Sequence, residues 1–197
     1  MQSVYILLDR SGSMTDLMEE AIGSINSYVR KLDEATRVTL VAFDSVDYSV
    51  IRDNVPVWNY QKIVGTEVTP RGMTPLYDST ARLISKMFND NPEKAVLVIM
   101  TDGHENCSRE VTLGTVQSRI KEAEGKGWQV LFLGANFDKV DDVSLNLGKI
   151  NLNQTINVTR GNFDKTFNTV ACYTQSYFAK SDAINFTAED KKKATTS

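Results

Sequence analysis

Val4-Tyr5-Ile6-Leu7-Leu8-Asp9-Arg10-Ser11-Gly12-Ser13 is the stretch whose reading decides the fold. Five apolar residues, rich in β-branched and aromatic types and cut off by a polar cluster, predict a strand buried on both faces, as parallel strands are. Beyond the cluster, Leu17, Met18, Ala21, Ile22, Ile25, Val29 and Leu32 recur at three- and four-residue steps and predict an amphipathic helix. Asp9, Ser11 and Ser13 are therefore expected in a solvent-facing strand-to-helix turn, the place where open α/β sheets bind ligands. One carboxylate and two hydroxyls at alternate positions can converge there on a hard cation, with Gly12 letting the loop bend.

Outward from this turn the chain keeps alternating strand and helix. Val38 to Phe43 reads as a second buried strand, reached by a right-handed helical crossover and so parallel to the first. Residues 48–52 are short and more polar, which suits an antiparallel edge strand. Residues 54–73 have no period, and loops of that length in compact domains are usually functional. This loop runs into Gly72-Met73-Thr74-Pro75, where Pro75 suits the first turn of a helix and Thr74 its N-cap. Residues 95–100 form the most continuous apolar run, hence the expected central strand, and end in Thr101-Asp102-Gly103-His104-Glu105-Asn106, a second carboxylate behind a strand. Strands at 130–133 and 155–158 and helices at 110–126, 138–147 and 164–178 complete the pattern. The expected fold is α/β: a three-layer, doubly wound, Rossmann-like sheet of six mostly parallel strands with one antiparallel edge strand. Residues 1–181 are expected to form one domain, and 182–197, with the run Lys191-Lys192-Lys193, a frayed tail.

Composition narrows the function. The 197 residues are 41% apolar and 24% charged, ordinary for one soluble domain, and a net charge of −3 gives no electrostatic case for nucleic acid or an anionic membrane. No window reaches the roughly 18 apolar residues of a membrane span, and the first strand starts too early for a signal peptide, so a cytoplasmic protein is expected. Cys107 and Cys172 have no partner spacing and read as reduced thiols.

Three turns thus present oxygen ligands at one sheet edge: Asp9, Ser11 and Ser13 from the first, Thr74 from the second, Asp102 from the third. This set, with its complete Asp-x-Ser-x-Ser and its Thr-Asp-Gly, resembles the metal-ion-dependent adhesion site of the von Willebrand factor type A domain family. The run Gly72 to Asp78, Gly-Met-Thr-Pro-Leu-Tyr-Asp, is similar to the bacterial and phage branch of that family. The resemblance covers nearly the whole chain. It implies that Ser11, Ser13 and Thr74 ligate a metal directly, while Asp9 and Asp102 bind it directly or through water. The residue types suit Mg²⁺, or Mn²⁺ or Ca²⁺, and disfavour zinc, which prefers His or Cys. Two carboxylates only neutralise a divalent ion, so the metal stays electrophilic toward an acidic ligand. The expected function is divalent-cation-dependent binding of a partner protein, whose exposed Asp, Glu or C-terminal carboxylate completes the coordination, without catalysis.

Two other readings compete: a metal-dependent hydrolase using His104 as base, and a scaffold whose metal is purely structural. Other motifs fail. An EF-hand loop from Asp9 would place Glu20 at its twelfth position but needs Gly where Met14 stands, and an aspartyl phosphatase needs a second Asp where Ser11 stands. No nucleophile elbow or phosphate-binding Gly-Lys-Ser/Thr loop is present. Trp58 and Tyr60 suit either a partner contact or packing, and Arg10 and Arg71 suit either an acidic partner or solvent.

Overall fold

Alternate side chains of the first strand build the two sides of the molecule. The computed structural model describes residues 1–135, 137 and 151–196. Its sheet contains β1 (Gln2–Asp9), β2 (Arg37–Phe43), β3 (Tyr48–Pro56), β4 (Lys94–Thr101), β5 (Gln129–Ala135) and β6 (Thr155–Val158), in the order β3-β2-β1-β4-β5-β6. All neighbours are parallel except β2 and β3. Val4, Ile6 and Leu8 face α1 (Met18–Arg30) and α4 (Phe163–Lys180); Tyr5 and Leu7 face α2 (Leu76–Asp90) and α3 (Leu113–Gly125). The period of two along a fully buried strand thus feeds two hydrophobic cores, one on each face.

This order fixes where a ligand can bind. β1 hands the chain to α1 on one face, while its neighbour β4 hands it to α3 on the other, so the loops diverge at the carboxyl ends of β1 and β4. A crevice at such a switch point is the usual ligand position in open α/β sheets. Asp9 ends β1, and Thr101 and Asp102 end or follow β4, one step past the Leu8–Met100 pair.

The helix expected over residues 138–147 lies outside the described residues. Elsewhere three expectations need correction. β3 runs to Pro56 rather than 52, because Arg52 holds Glu67 and the carbonyls of Gln61 and Lys62 and so orders the segment after it. That segment is no open loop: Ile63 and Val68 are buried, and Asn26 of α1 brackets Ile63 through its N–H and C=O, both at 2.9 Å. Tyr60 packs against this core and donates to Asn26, whereas Trp58 stays 70% exposed.

The third correction concerns the tail. Residues 182–196 are not frayed: Ala188–Thr195 form α5, started by a capping box between Thr187 and Asp190. Ile184, Phe186 and Ala194 are buried, Tyr173 donates to Asp190 at 2.8 Å, and Thr159 N–H donates to the Ala194 carbonyl. Of the lysine run, Lys192 and Lys193 are exposed, while Lys191 donates to the Leu152 carbonyl and helps hold the short helix down.

Candidate metal centre

Five oxygens chosen by type end up around one point. A Cβ built on Gly103, in the loop after β4, would lie 3.1 Å from Thr74 Oγ1, 3.7 Å from Ser13 Oγ and 3.9 Å from Asp9 Oδ2, so the loop that carries Asp102 meets groups from the other two. Ser11 Oγ is 3.1 Å from Ser13 Oγ, and Ser13 Oγ donates to Asp102 Oδ1 at 2.6 Å. All five expected site residues are therefore linked in one cluster, and the missing side chain of Gly103 leaves its centre open.

Asp9 is fully buried, not solvent-facing. Ser11 N–H donates to its Oδ1 at 2.7 Å and Thr101 Oγ1 to its Oδ2 at 2.5 Å. Burial nevertheless dominates and pushes its carboxyl up to about 6, against those two hydrogen bonds and with a contribution from the charge of Asp102. Burial also raises Asp102, opposed by the Ser13 hydroxyl. Two carboxylates in one sheltered cradle, each reluctant to ionise alone, hold negative charge that a cation would stabilise. The donors are hard oxygens only, two carboxylates and three hydroxyls, and this set fits Mg²⁺, Mn²⁺ or Ca²⁺. Among the described residues no three His, Cys, Asp or Glu side chains cluster as a metal site.

The loops are fastened to one another by backbone. Arg71 N–H donates to the Arg10 carbonyl at 2.8 Å, Gly12 N–H to the Gly72 carbonyl at 3.1 Å, and Ser45 N–H to the Met73 carbonyl at 2.9 Å. At their junction sits Asp44, whose Oδ2 accepts from Arg10 Nε at 2.7 Å and Arg71 Nε at 3.0 Å. Burial would raise the Asp44 carboxyl, but amide donation from Val46 and Asp47 and the two guanidinium groups hold it below the usual carboxylate range. Arg10 is itself buried. Arg10 is thus a buried structural clamp, whereas Arg71 holds Asp44 from a side chain that remains about half exposed, 48%.

Two local expectations change here. Gly12 has ordinary dihedrals and room for a methyl group; the glycine the turn requires is Gly72, at φ +70°, where a Cβ would sit 2.6 Å from Ser45 Oγ. Thr74 does not cap α2, which starts after Pro75 without a side-chain cap from its own strand of sequence. Its free amides are met from the loop after β4 instead: Tyr77 N–H donates to Glu105 Oε2 at 2.9 Å and Asp78 N–H to Ser108 Oγ at 3.1 Å. Asn106 Oδ1 accepts from Thr74 N–H, and Asn106 N–H donates to the Thr74 carbonyl. The Thr74 hydroxyl is left for the cradle.

Sequence reasoning overlooked Asp44, Glu105 and Asn106, which touch no metal and act by position. Glu105 and Asn106 lay inside the quoted stretch after β4, yet their partners are about 30 residues away. His104 is exposed, with its ring edge-on to Phe137 at 5.3 Å between centroids. Cys107 and Cys172 are free thiols.

Comparison with known proteins adds the family. No curated protein sequence matches the chain. Among solved structures, the fold is similar to a von Willebrand factor type A protein from Catenulispora acidiphila, with TM-score 0.68 and 14% identity over 89% of this chain and 43% of that one. It is similar to the ArnB paralog VWA2 from Sulfolobus acidocaldarius, with TM-score 0.61 and 13% identity over 87% of this chain and 44% of that one. It also resembles proximal thread matrix protein 1 of the mussel byssus, solved with a zinc-occupied MIDAS motif, with TM-score 0.60 and 12% identity over 87% and 47% of the two chains. The chain spans less than half the length of each of these. The profile of the von Willebrand factor type A domain matches residues 3–171, most of the sheet and its helices, and the chain belongs to that family.

Proposed function

We propose that this domain binds a divalent cation through Asp9, Ser11, Ser13, Thr74 and Asp102 as a complete adhesion-type metal site, and through that metal binds a carboxylate of a partner protein. The observation that carries the reading is the point beside Gly103, flanked by oxygens of Asp9, Ser13 and Thr74 from two loops, with Asp102 of the third loop accepting from Ser13. Neutral hydroxyls leave a divalent ion short of negative charge, and an Asp, Glu or C-terminal carboxylate supplies it. Mg²⁺ is the proposed ion, with Mn²⁺ and Ca²⁺ as substitutes. We assign binding rather than turnover, and give His104 no catalytic role, since it packs on Phe137 at the rim. The bacterial or phage type of the domain rests on the run from Gly72 to Asp78. Two free thiols support a cytoplasmic setting, and no described helix is long and apolar enough to cross a membrane.

The test uses blocked glycine peptides carrying one Asp, or Asn in its place, titrated into isotope-labelled protein. In Mg²⁺ the Asp peptide shifts amide resonances of Ser11, Ser13 and Gly103; with chelator, or with Asn, it does not. Equal shifts from both peptides would sink the carboxylate bridge, and no response to Mg²⁺ itself would sink the metal site.

A further inference from the structure

Thr74 belongs to a loop whose other side walls a groove. The cleft, about 410 Å³, lies between the turn joining β2 to β3, the first turn of α2 and residues 107–110. Its rim toward the metal loops carries two apolar side chains in solvent, Val46 at 68% and Met73 at 51% exposure. They are tied together, since Ser45 and Met73 exchange two hydrogen bonds.

The charges of the groove are almost all committed. Asp44 is held by Arg10 and Arg71, and Asp47 lies 3.5 Å from Arg10. Asp78 accepts the amides of Arg109, Glu110 and Val111, and Arg82 pairs with Glu110 while lying over the Tyr48 ring. Arg109 differs: its backbone amide is used, but among the described residues no carboxylate pairs with its guanidinium. A cleft of ligand size with an apolar lip and, among the described residues, one guanidinium with which no carboxylate pairs suits an occupant bringing an apolar group and a carboxylate placed at Arg109.

We propose that the groove takes the continuation of the partner segment whose carboxylate reaches the metal, an extended acidic stretch with an apolar side chain over Val46 and Met73 and a second carboxylate on Arg109. The inference rests on the metal-bridged reading above. Continuity argues for one segment: Thr74 faces the cradle while Met73 and Pro75, its neighbours in the chain, line the groove. The second carboxylate then sets which acidic partners are accepted, because a single metal-bound carboxylate carries little sequence information.

The probes are blocked peptides with a metal-binding Asp, a Leu, and a Glu placed one to four residues further on, each matched by a peptide with Gln for Glu, titrated in Mg²⁺. At the best spacing the Glu peptide is expected to bind about threefold tighter than its Gln match. Arg109→Gln should erase that difference while the Gln peptide binds as before and the Mg²⁺-induced rise in Tm is kept. Arg109→Glu should reverse the preference. Equal binding of every matched pair to the wild type, or a preference that survives Arg109→Gln, overturns the groove and leaves the metal reading standing. Failure of all peptides to bind in Mg²⁺ overturns both.

Discussion

A buried carboxylate at the end of β1 is costly until something neutralises it. The Asp9 value, raised from 3.8 to about 6, means that protonated Asp9 favours the metal-free fold. That contribution is whole below 3.8 and is lost as pH rises through about 6. A cation reverses the balance, so Mg²⁺ should raise Tm clearly at pH 8 and little at pH 5, as scanning calorimetry at the two pH values would show. Asp9→Asn keeps an acceptor for Ser11 N–H and sheds the charge. It should stabilise the metal-free protein at pH 8 by about 1–3 kcal/mol while removing the response to Mg²⁺; a variant less stable than wild type would show that the two hydrogen bonds outweigh the buried charge. The glycines give a sharper contrast. Gly12→Ala should be near neutral, and Gly72→Ala should cost about 1–2 kcal/mol for its left-handed backbone, with the clash against Ser45 in addition. Urea denaturation of the pair would expose an error if the order were reversed.

Strands and helices were legible because each declared itself locally. The uninterrupted apolar run of β4 and the three- and four-residue spacing of α1 need no distant information, and the Asp-x-Ser-x-Ser turn follows from lying between such elements. What stayed hidden were long-range polar links. Nothing near Asp44 announces that Arg10 and Arg71 converge on it, and nothing near Thr74 announces that Glu105 relieves it of capping. Gly12 sits in the polar turn, yet the left-handed bend belongs to Gly72, and only the packing of the two turns against each other distinguishes them. The tail has no period to mark it, and what orders it are Ile184, whose N–H donates to Gln129, and Phe186, edge-on to Tyr173, contacts with earlier parts of the chain. The clamp yields its own prediction. Asp44→Ala leaves the buried Arg10 with only the exposed Asp47, at 3.5 Å, as counter-ion and should cost about 3 kcal/mol. Its carboxyl is held low, so its contribution is present above the ordinary carboxylate range and is lost as pH falls through it. A Tm difference between Asp44→Ala and wild type that did not shrink toward pH 3 would contradict that assignment.

Across the whole molecule the sheet acts as a frame whose ends are finished by different means. β3 is ordered by Arg52 and the segment it holds, and β6 lies against α5. Ending the chain after residue 181 removes the buried Ile184 and Phe186 and should therefore cost about 3 kcal/mol or more, although it deletes no metal ligand. Calorimetry on the shortened chain checks this, and an unchanged Tm would return the tail to the status of an appendage. The cap that Glu105 lends to α2 has a consequence for recombination between relatives. A loop after β4 transplanted from another member of the family can bring a perfect Thr-Asp-Gly and still fail, if it carries no acceptor for the amide of Tyr77. Helix α2 would then compete for the Thr74 hydroxyl, and the graft would lose a ligand that it never touched. Such chimaeras should be judged by the residues three and four places beyond the aspartate as much as by the aspartate itself.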